Sequence, residues 1–185
     1  MSIHVCPWWL AYTFDHRLRR LAHNPEKLFG KYVRPGMTVV YLGCGLGFNS
    51  LGLAKLVGNS GKVVALDIQQ KMLDGVMRRA KKMGLENRIE PHQAAEKDLG
   101  LNVKAQFILA FYMVHEVPDQ ERFMTQVADN LSVGGRFMMV ELPVHVSIKS
   151  FQKSIACAET SGLVLENRYQ IFFGRTAVLK KPAAP

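Results

Sequence analysis

The stretch whose reading decides the fold is "VVYLGCGLGFNS", residues 39–50. An apolar run ends in Gly43, Gly45 and Gly47 at every second position, and a helix-like segment follows. Glycines directly after a strand let the backbone approach a ligand closely, because no Cβ intervenes and positive φ costs little. The helix behind them turns its free N–H groups toward the same place. Tyr41 stands where a nucleotide-binding chain would often carry an acid.

Working outward, strands and helices alternate. "MTVVYL" (37–42) is β-branched and entered through "RPG", hence a strand, and residues 48–57 read as a helix closed by the turn chemistry of "GNSG". "KVVALD" (62–67) is a second buried strand. "QQKMLDGVMRRAKKMG" places Met72, Val76, Arg79 and Met83 at helical spacing, with Gly84 as C-cap. "RIEPHQA" is a weaker third strand and "AQFILAFYM" (105–113) a strongly apolar fourth. A helix opened by Pro118 and Asp119 is predicted to close at Gly134 and Gly135. "RFMMVEL", a helix over 147–161 and two strand-like runs around a turn at Gly174 complete the chain. Five βα units ending in a hairpin imply a mainly parallel sheet with one antiparallel strand near its end.

Three ligands compete for the glycines. A phosphate loop needs GxxxxGK[ST], which is missing here. A dinucleotide fingerprint needs GxGxxG, and after Gly43 and Gly45 the third position is Phe48. The G-x-G-x-G pattern suits a ligand without pyrophosphate, an adenosyl group carrying an amino acid. Asp67 ends the second strand about 20 residues on, where a carboxylate can accept both ribose hydroxyl protons.

Composition narrows the class. The 185 residues, 48% hydrophobic and 21% charged, make an ordinary globular balance and one domain of good core size. Cys6, Cys44 and Cys157 form no CxxC pair, which argues against a disulfide framework or structural zinc and for a reducing, cytoplasmic setting. The net charge of +9 is spread over "RLRR", "MRRAKK" and "LKK", as solvated faces with a basic substrate entrance would have it. No aromatics are interleaved with these runs, so nucleic acid is not expected as a partner.

In four places the chain resembles the class I S-adenosylmethionine-dependent methyltransferases of the small methyltransferase-domain type. "VVYLGCGLG" resembles the first motif and "VVALDI" the adenosine-binding second strand. "AFYMVHEVPD" resembles the fourth-strand motif and "LSVGGRFMMVEL" the turn and fifth strand. The resemblance implies an α/β fold, a Rossmann-like three-layer sandwich. Its sheet would be seven-stranded and mainly parallel, with one antiparallel strand inserted near the C-terminus. It implies S-adenosyl-L-methionine as cofactor, with Gly43, Gly45 and Gly47 along the methionine portion, Asp67 on the ribose and Ile68 on the adenine. Tyr112 would shape the wall. The family usually has an acid at the site of Tyr41, and another after the third strand, which falls here at Ala95 with Glu96 adjacent.

Methyl transfer from a sulfonium needs alignment and sometimes a base. His115 and Glu116 follow the fourth strand and are the catalytic candidates, His115 as base and Glu116 as a group orienting it or the substrate. Glu141 and His145, at and beyond the end of the fifth strand, could line the opposite wall. Residues 1–32 read as a lid or helical segment over a methyltransferase domain at 33–181. In it Trp8, Trp9 and Tyr12 would contact substrate, with Phe14, Arg17, Arg19 and Arg20 beside them. The tryptophans could instead anchor the segment to the core or to a second copy, and a peripheral membrane contact is a lesser option. No cluster has metal-ligand spacing. The expectation is methyl transfer to a small, partly apolar acceptor. The rivals are a non-catalytic protein that binds the cofactor or S-adenosylhomocysteine and an NAD-dependent oxidoreductase.

Overall fold

A computed structural model describes residues 24–183. Cys6 and the expected lid residues Trp8, Trp9, Tyr12, Phe14, Arg17, Arg19 and Arg20 lie outside the described residues. Seven strands form one sheet in the order β3-β2-β1-β4-β5-β7-β6. Only β7 runs antiparallel to its neighbours, so the mainly parallel sheet with an inserted antiparallel strand is what the chain adopts. The chain divides into two compact units, one ending at Ala94 and one beginning at Ala95.

The first unit holds helix α1 (Pro25–Phe29), β1 (Thr38–Leu42), α2 (Phe48–Val57), β2 (Lys62–Asp67), α3 (Gln70–Lys82) and β3 (Ile89–Gln93). β1 and β2 are buried along nearly their whole length, as strands covered on both faces must be. They pair in parallel register, Val40 opposite Val64 and Leu42 opposite Leu66, which brings Asp67 just beyond the end of β1. Pro91 interrupts no ladder, because β3 is an edge strand. Helix α3 buries Met72, Leu73, Val76 and Ala80 and carries Arg79, Lys81 and Lys82 in its last turn, where cations suit the helix dipole. Met83, predicted on the apolar stripe, is 40% exposed. The helix has already ended there, at the C-cap.

The second unit holds β4 (Ala105–Phe111), α4 (Gln120–Asn130), β5 (Leu131–Glu141), α5 (Ile148–Thr160), β6 (Val164–Ile171) and β7 (Gly174–Lys180). Asp119 caps α4 by accepting from the Arg122 N–H, and Ser147 caps α5 by accepting from Ser150. Two predicted boundaries shift. Helix α4 stops at Asn130, four residues before the expected Gly134, and Leu131 already starts β5. Leu131 lies opposite Ala105, and a register shift follows before Phe107 pairs with Arg136. Gly134, at φ +76, serves this irregularity rather than a helix cap. The hairpin turns at Phe172 and Phe173, with Gly174 already paired to Ile171.

Candidate active site

In the first unit, Gly43, Gly45 and Gly47 have φ of +62°, +52° and +82°. All three therefore sit where an L side chain is strained, and the alternating spacing records a backbone requirement. Gly47 has a second reason, since a Cβ there would come within 2.8 Å of Val76 Cγ2. Among the described residues nothing lies within 4 Å of a Cβ built on Gly45. The loop is fixed from several sides: Cys44 N–H donates to the Leu66 carbonyl at 2.9 Å, and Arg79 Nη1 donates to the Leu46 carbonyl at 3.0 Å.

Asp67 binds the loop as well as facing its end. Its Oδ2 accepts from Gly45 N–H and its Oδ1 from Gln69 N–H, each at 3.0 Å. Burial pushes its carboxyl above the usual range, opposed by the amides of Gln69, Gly45 and Ile68. Two carboxylate oxygens carry about four lone-pair sites, so three amides leave acceptor capacity for a further hydroxyl donor. A left-handed glycine cradle beside a carboxylate with spare acceptor capacity fits an adenosyl amino acid. Cys44 beside it is buried, and burial raises its thiol well above the ordinary value, which removes it as a nucleophile near neutral pH.

Tyr41, buried beneath the loop, accepts a hydrogen bond from Asn49 Nδ2 at 3.1 Å. Asn49 lies in the first turn of α2, so this bond ties the helix start to β1 in place of an acid's contacts. Asn49 Oδ1 and Ser50 Oγ are buried with no hydrogen-bond partner. Sequence reasoning missed Asn49 and Arg79, because neither falls within the glycine motif. Ile68 is half-buried just after Asp67, and Gln93 Nε2 donates to its carbonyl at 3.2 Å.

The second unit carries the other candidates. β4 ends at Phe111, and Tyr112 leaves it at φ +62 with its N–H donating to the Val140 carbonyl at 2.8 Å. Such a conformation is costly for an aromatic residue and persists only where its surroundings impose it. Gly174 makes room for Val140 and the Tyr112 ring, since a Cβ there would lie 2.7 Å from Val140 Cγ1 and 3.2 Å from Tyr112 Cε1 and Oη. A single 3-10 turn, Val114–Glu116, follows. Gln120 Nε2 donates to the Val114 carbonyl at 3.1 Å, and Gln120 Oε1 accepts from Ser154 Oγ at 2.8 Å, so helices α4 and α5 brace the turn.

That turn presents His115 to Glu141, the last residue of β5. His115 Nδ1 lies 2.7 Å from Glu141 Oε2, and His115 N–H donates to Oε1 at 3.2 Å. The carboxylate side chain is 1% exposed and the imidazole 27% exposed. A buried carboxylate against Nδ1 fixes that nitrogen as the N–H donor and leaves the Nε2 lone pair available. The Glu141 hydrogen bond raises the His115 pKa, partly opposed by burial, and the charges of Glu141 and Glu116 add to the rise. His145 stacks parallel on His115, centroids 5.6 Å apart. Thus Glu141, read from the sequence as a wall residue, is the group that orients His115, while Glu116 acts on it through charge. Ala95 and Glu96 sit exposed in a tight turn, with Ala95 paired to Asp98. Among the described residues no group of His, Cys, Asp and Glu is arranged to hold a metal ion.

The family model described as "Methyltransferase domain" matches residues 34–170. A demethylmenaquinone methyltransferase of Lactobacillus johnsonii is 30% identical over 118 residues, 63% of this chain and 48% of that one. The chain therefore matches about half the length of that relative. Among solved structures, a SAM-dependent methyltransferase from Aquifex aeolicus superimposes with a TM-score of 0.86 at 21% identity, over 96% of this chain and all of that one. A SAM-dependent O-methyltransferase from Thermotoga maritima gives 0.71 at 18% identity, over 88% of this chain and 66% of the other. At these identities the solved structures speak for the fold.

Proposed function

Because the chain belongs to the methyltransferase-domain family, with S-adenosylmethionine as cofactor, we propose that it methylates a small, partly apolar acceptor whose proton His115 removes. The observation that carries this reading is the 2.7 Å bond between His115 Nδ1 and the buried Glu141 carboxylate. A solvated strand-end histidine has no need of a carboxylate held 1% exposed behind it; a base that must present one defined nitrogen does.

S-adenosylmethionine supplies an electrophilic methyl group on a sulfonium. Gly43, Gly45 and Gly47 would hold its amino-acid portion by backbone, and Asp67 its ribose. His115 Nε2 would accept the proton that the acceptor gives up on methylation, with S-adenosylhomocysteine as the other product. Glu141 keeps the ring oriented and stabilises the imidazolium, and the proton leaves through the exposed edge of the ring. The demand is for an acceptor with a weakly acidic proton, such as a phenol, hydroquinone or thiol. The name of the 30%-identical relative, a demethylmenaquinone methyltransferase, supports a partly apolar acceptor.

The test is formation of S-adenosylhomocysteine by the purified chain with catechol, 1,4-naphthohydroquinone and an alkyl thiol as acceptors. Turnover that rises with pH as His115 loses its proton supports the reading. Tight S-adenosylhomocysteine binding without turnover on any acceptor would turn the reading toward a non-catalytic binding protein. Binding of NADH in its stead would sink both.

A further inference from the structure

The β6–β7 hairpin turns through Phe172 and Phe173, between the paired residues Ile171 and Gly174. Phe172 is 58% and Phe173 69% exposed, and their rings meet edge to face at 4.4 Å. Phe172 holds φ +54, a conformation that hairpin turns normally assign to Gly, Asn or Asp. Turn chemistry therefore disfavours an aromatic residue at this exposed position.

This tip has neighbours of the same kind. β7 runs antiparallel to β5 with Arg175 opposite Glu141, so the turn projects past the carboxyl end of β5, the end that carries the His115 contact. The segment leaving β5 there bears Val144, 84% exposed, and Ile148, 58% exposed. Arg175 Nη1 donates to the Val146 carbonyl at 2.5 Å and ties that segment to the start of β7. Four exposed apolar side chains thus sit on two joined segments.

The charge on these two segments has one sign. Residues 142–153 and 167–175 contain Lys149, Lys153, Arg168 and Arg175 and no acidic residue. Lys149, Lys153 and Arg168 are exposed. Aromatic side chains at a projecting tip, on segments whose charged residues are all cations, match the interface of an anionic bilayer, where rings enter the headgroup layer and cations meet phosphates. A two-fold pairing with a second copy would instead set these cations against themselves.

We propose that the Phe172–Phe173 tip, with Val144, Ile148 and the flanking Lys149 and Arg168, is a docking surface for an anionic lipid bilayer. This does not depend on the methyl acceptor. The test is co-sedimentation of the full chain with phosphatidylcholine vesicles, with and without phosphatidylglycerol, at low and high salt. The expected result is binding to the mixed vesicles only, reversed by salt. The F172S/F173S double variant should lose at least about tenfold in partitioning while keeping its circular dichroism and S-adenosylhomocysteine affinity. The K149E/R168E variant, which leaves the turn intact, should lose binding to the anionic vesicles as well. The proposal is overturned by failure of the wild-type chain to sediment, by equal binding of the F172S/F173S variant, or by salt-insensitive binding to both vesicle types. A concentration-dependent dimer that F172S/F173S abolishes would also overturn it, by assigning the surface to a second copy.

Discussion

The glycine loop with Asp67 and the turn with His115 are built by opposite means. The loop is backbone: three left-handed glycines, amides held by Asp67 and a carbonyl held by Arg79. The His115 site is side chain: one imidazole aimed by one carboxylate from a strand 26 residues on. A backbone cradle tolerates few substitutions but depends little on pH. A histidine–carboxylate pair is easily broken by a single change, and its imidazole pKa is raised by the Glu141 hydrogen bond. Binding and chemistry are therefore separable by mutation here, and that separation can be tested.

The sharpest break is His115→Ala. Loss of a general base costs about 100-fold or more in turnover. S-adenosylhomocysteine affinity by calorimetry should stay within about twofold, because the proposed cofactor loop is untouched. Equal losses in turnover and affinity would return His115 to a packing role. The pH dependence adds a signature. The folded His115 pKa is raised above its ordinary value by Glu141. The pair's contribution to stability is then full below the unfolded pKa, about 6.5, and is lost as pH rises through the folded value. Activity runs the other way, rising through that same value as the base becomes neutral. Melting temperature and turnover measured across one pH series should cross in opposite directions.

Next in size is Asp67→Ala. It removes a charged partner of three amides and a prospective ribose hydroxyl, and hydrogen bonds to a charged group are worth about 1.5–3 kcal/mol. Cofactor affinity should fall about thirtyfold. Turnover at saturating cofactor should fall far less. An unchanged dissociation constant would dismiss Asp67 as a ligand and leave it as a loop anchor.

The two regions also differ in how far the sequence disclosed them. Glycine spacing, the strand-end acid and the alternation of elements are local patterns, and local patterns survive in a linear string. They specify the parallel sheet, the inserted β7 and the cradle. The pairing of His115 with Glu141 is not local. Both residues stand out as strand-end polar groups, yet only the register of β4 on β5 puts them in contact, and adjacency in sequence favours Glu116 instead. The hairpin turn was misplaced because Gly174 advertises a turn, whereas its small size serves Val140 and the Tyr112 ring. The end of α4 was misplaced for a similar reason, since Gly134 and Gly135 belong to a bulged strand start.

Glu141→Gln probes the contact that the sequence did not reveal. An uncharged amide keeps the shape but cannot accept from both His115 donors or stabilise the imidazolium. Turnover should fall about tenfold, less than for loss of the base itself. The acid limb of the pH profile should move to lower pH, because the hydrogen bond that raises the His115 pKa is weakened. A purely structural glutamate would lower stability without moving that limb. The limb, read from kcat/KM, is therefore the deciding quantity.

The smallest expected effect falls on the residue that departs from the family pattern. Tyr41→Phe removes the acceptor of Asn49 Nδ2 and leaves a buried donor unpaired in the first turn of α2. An unmade buried hydrogen bond of this kind costs about 1 kcal/mol. That cost should appear as a lower melting temperature with only about a two- to fivefold loss in S-adenosylhomocysteine affinity. The loop would keep Asp67, Arg79 and its own left-handed geometry. Tyr41 then acts on the cofactor only through the placement of α2, whereas an acid at this position could act on the cofactor's ammonium by charge. Comparing S-adenosylhomocysteine with its deaminated analogue separates the two roles. If Tyr41→Phe weakens both ligands by the same factor, the tyrosine is a brace. If it weakens only the amine-bearing ligand, the hydroxyl reaches the cofactor and the brace account fails.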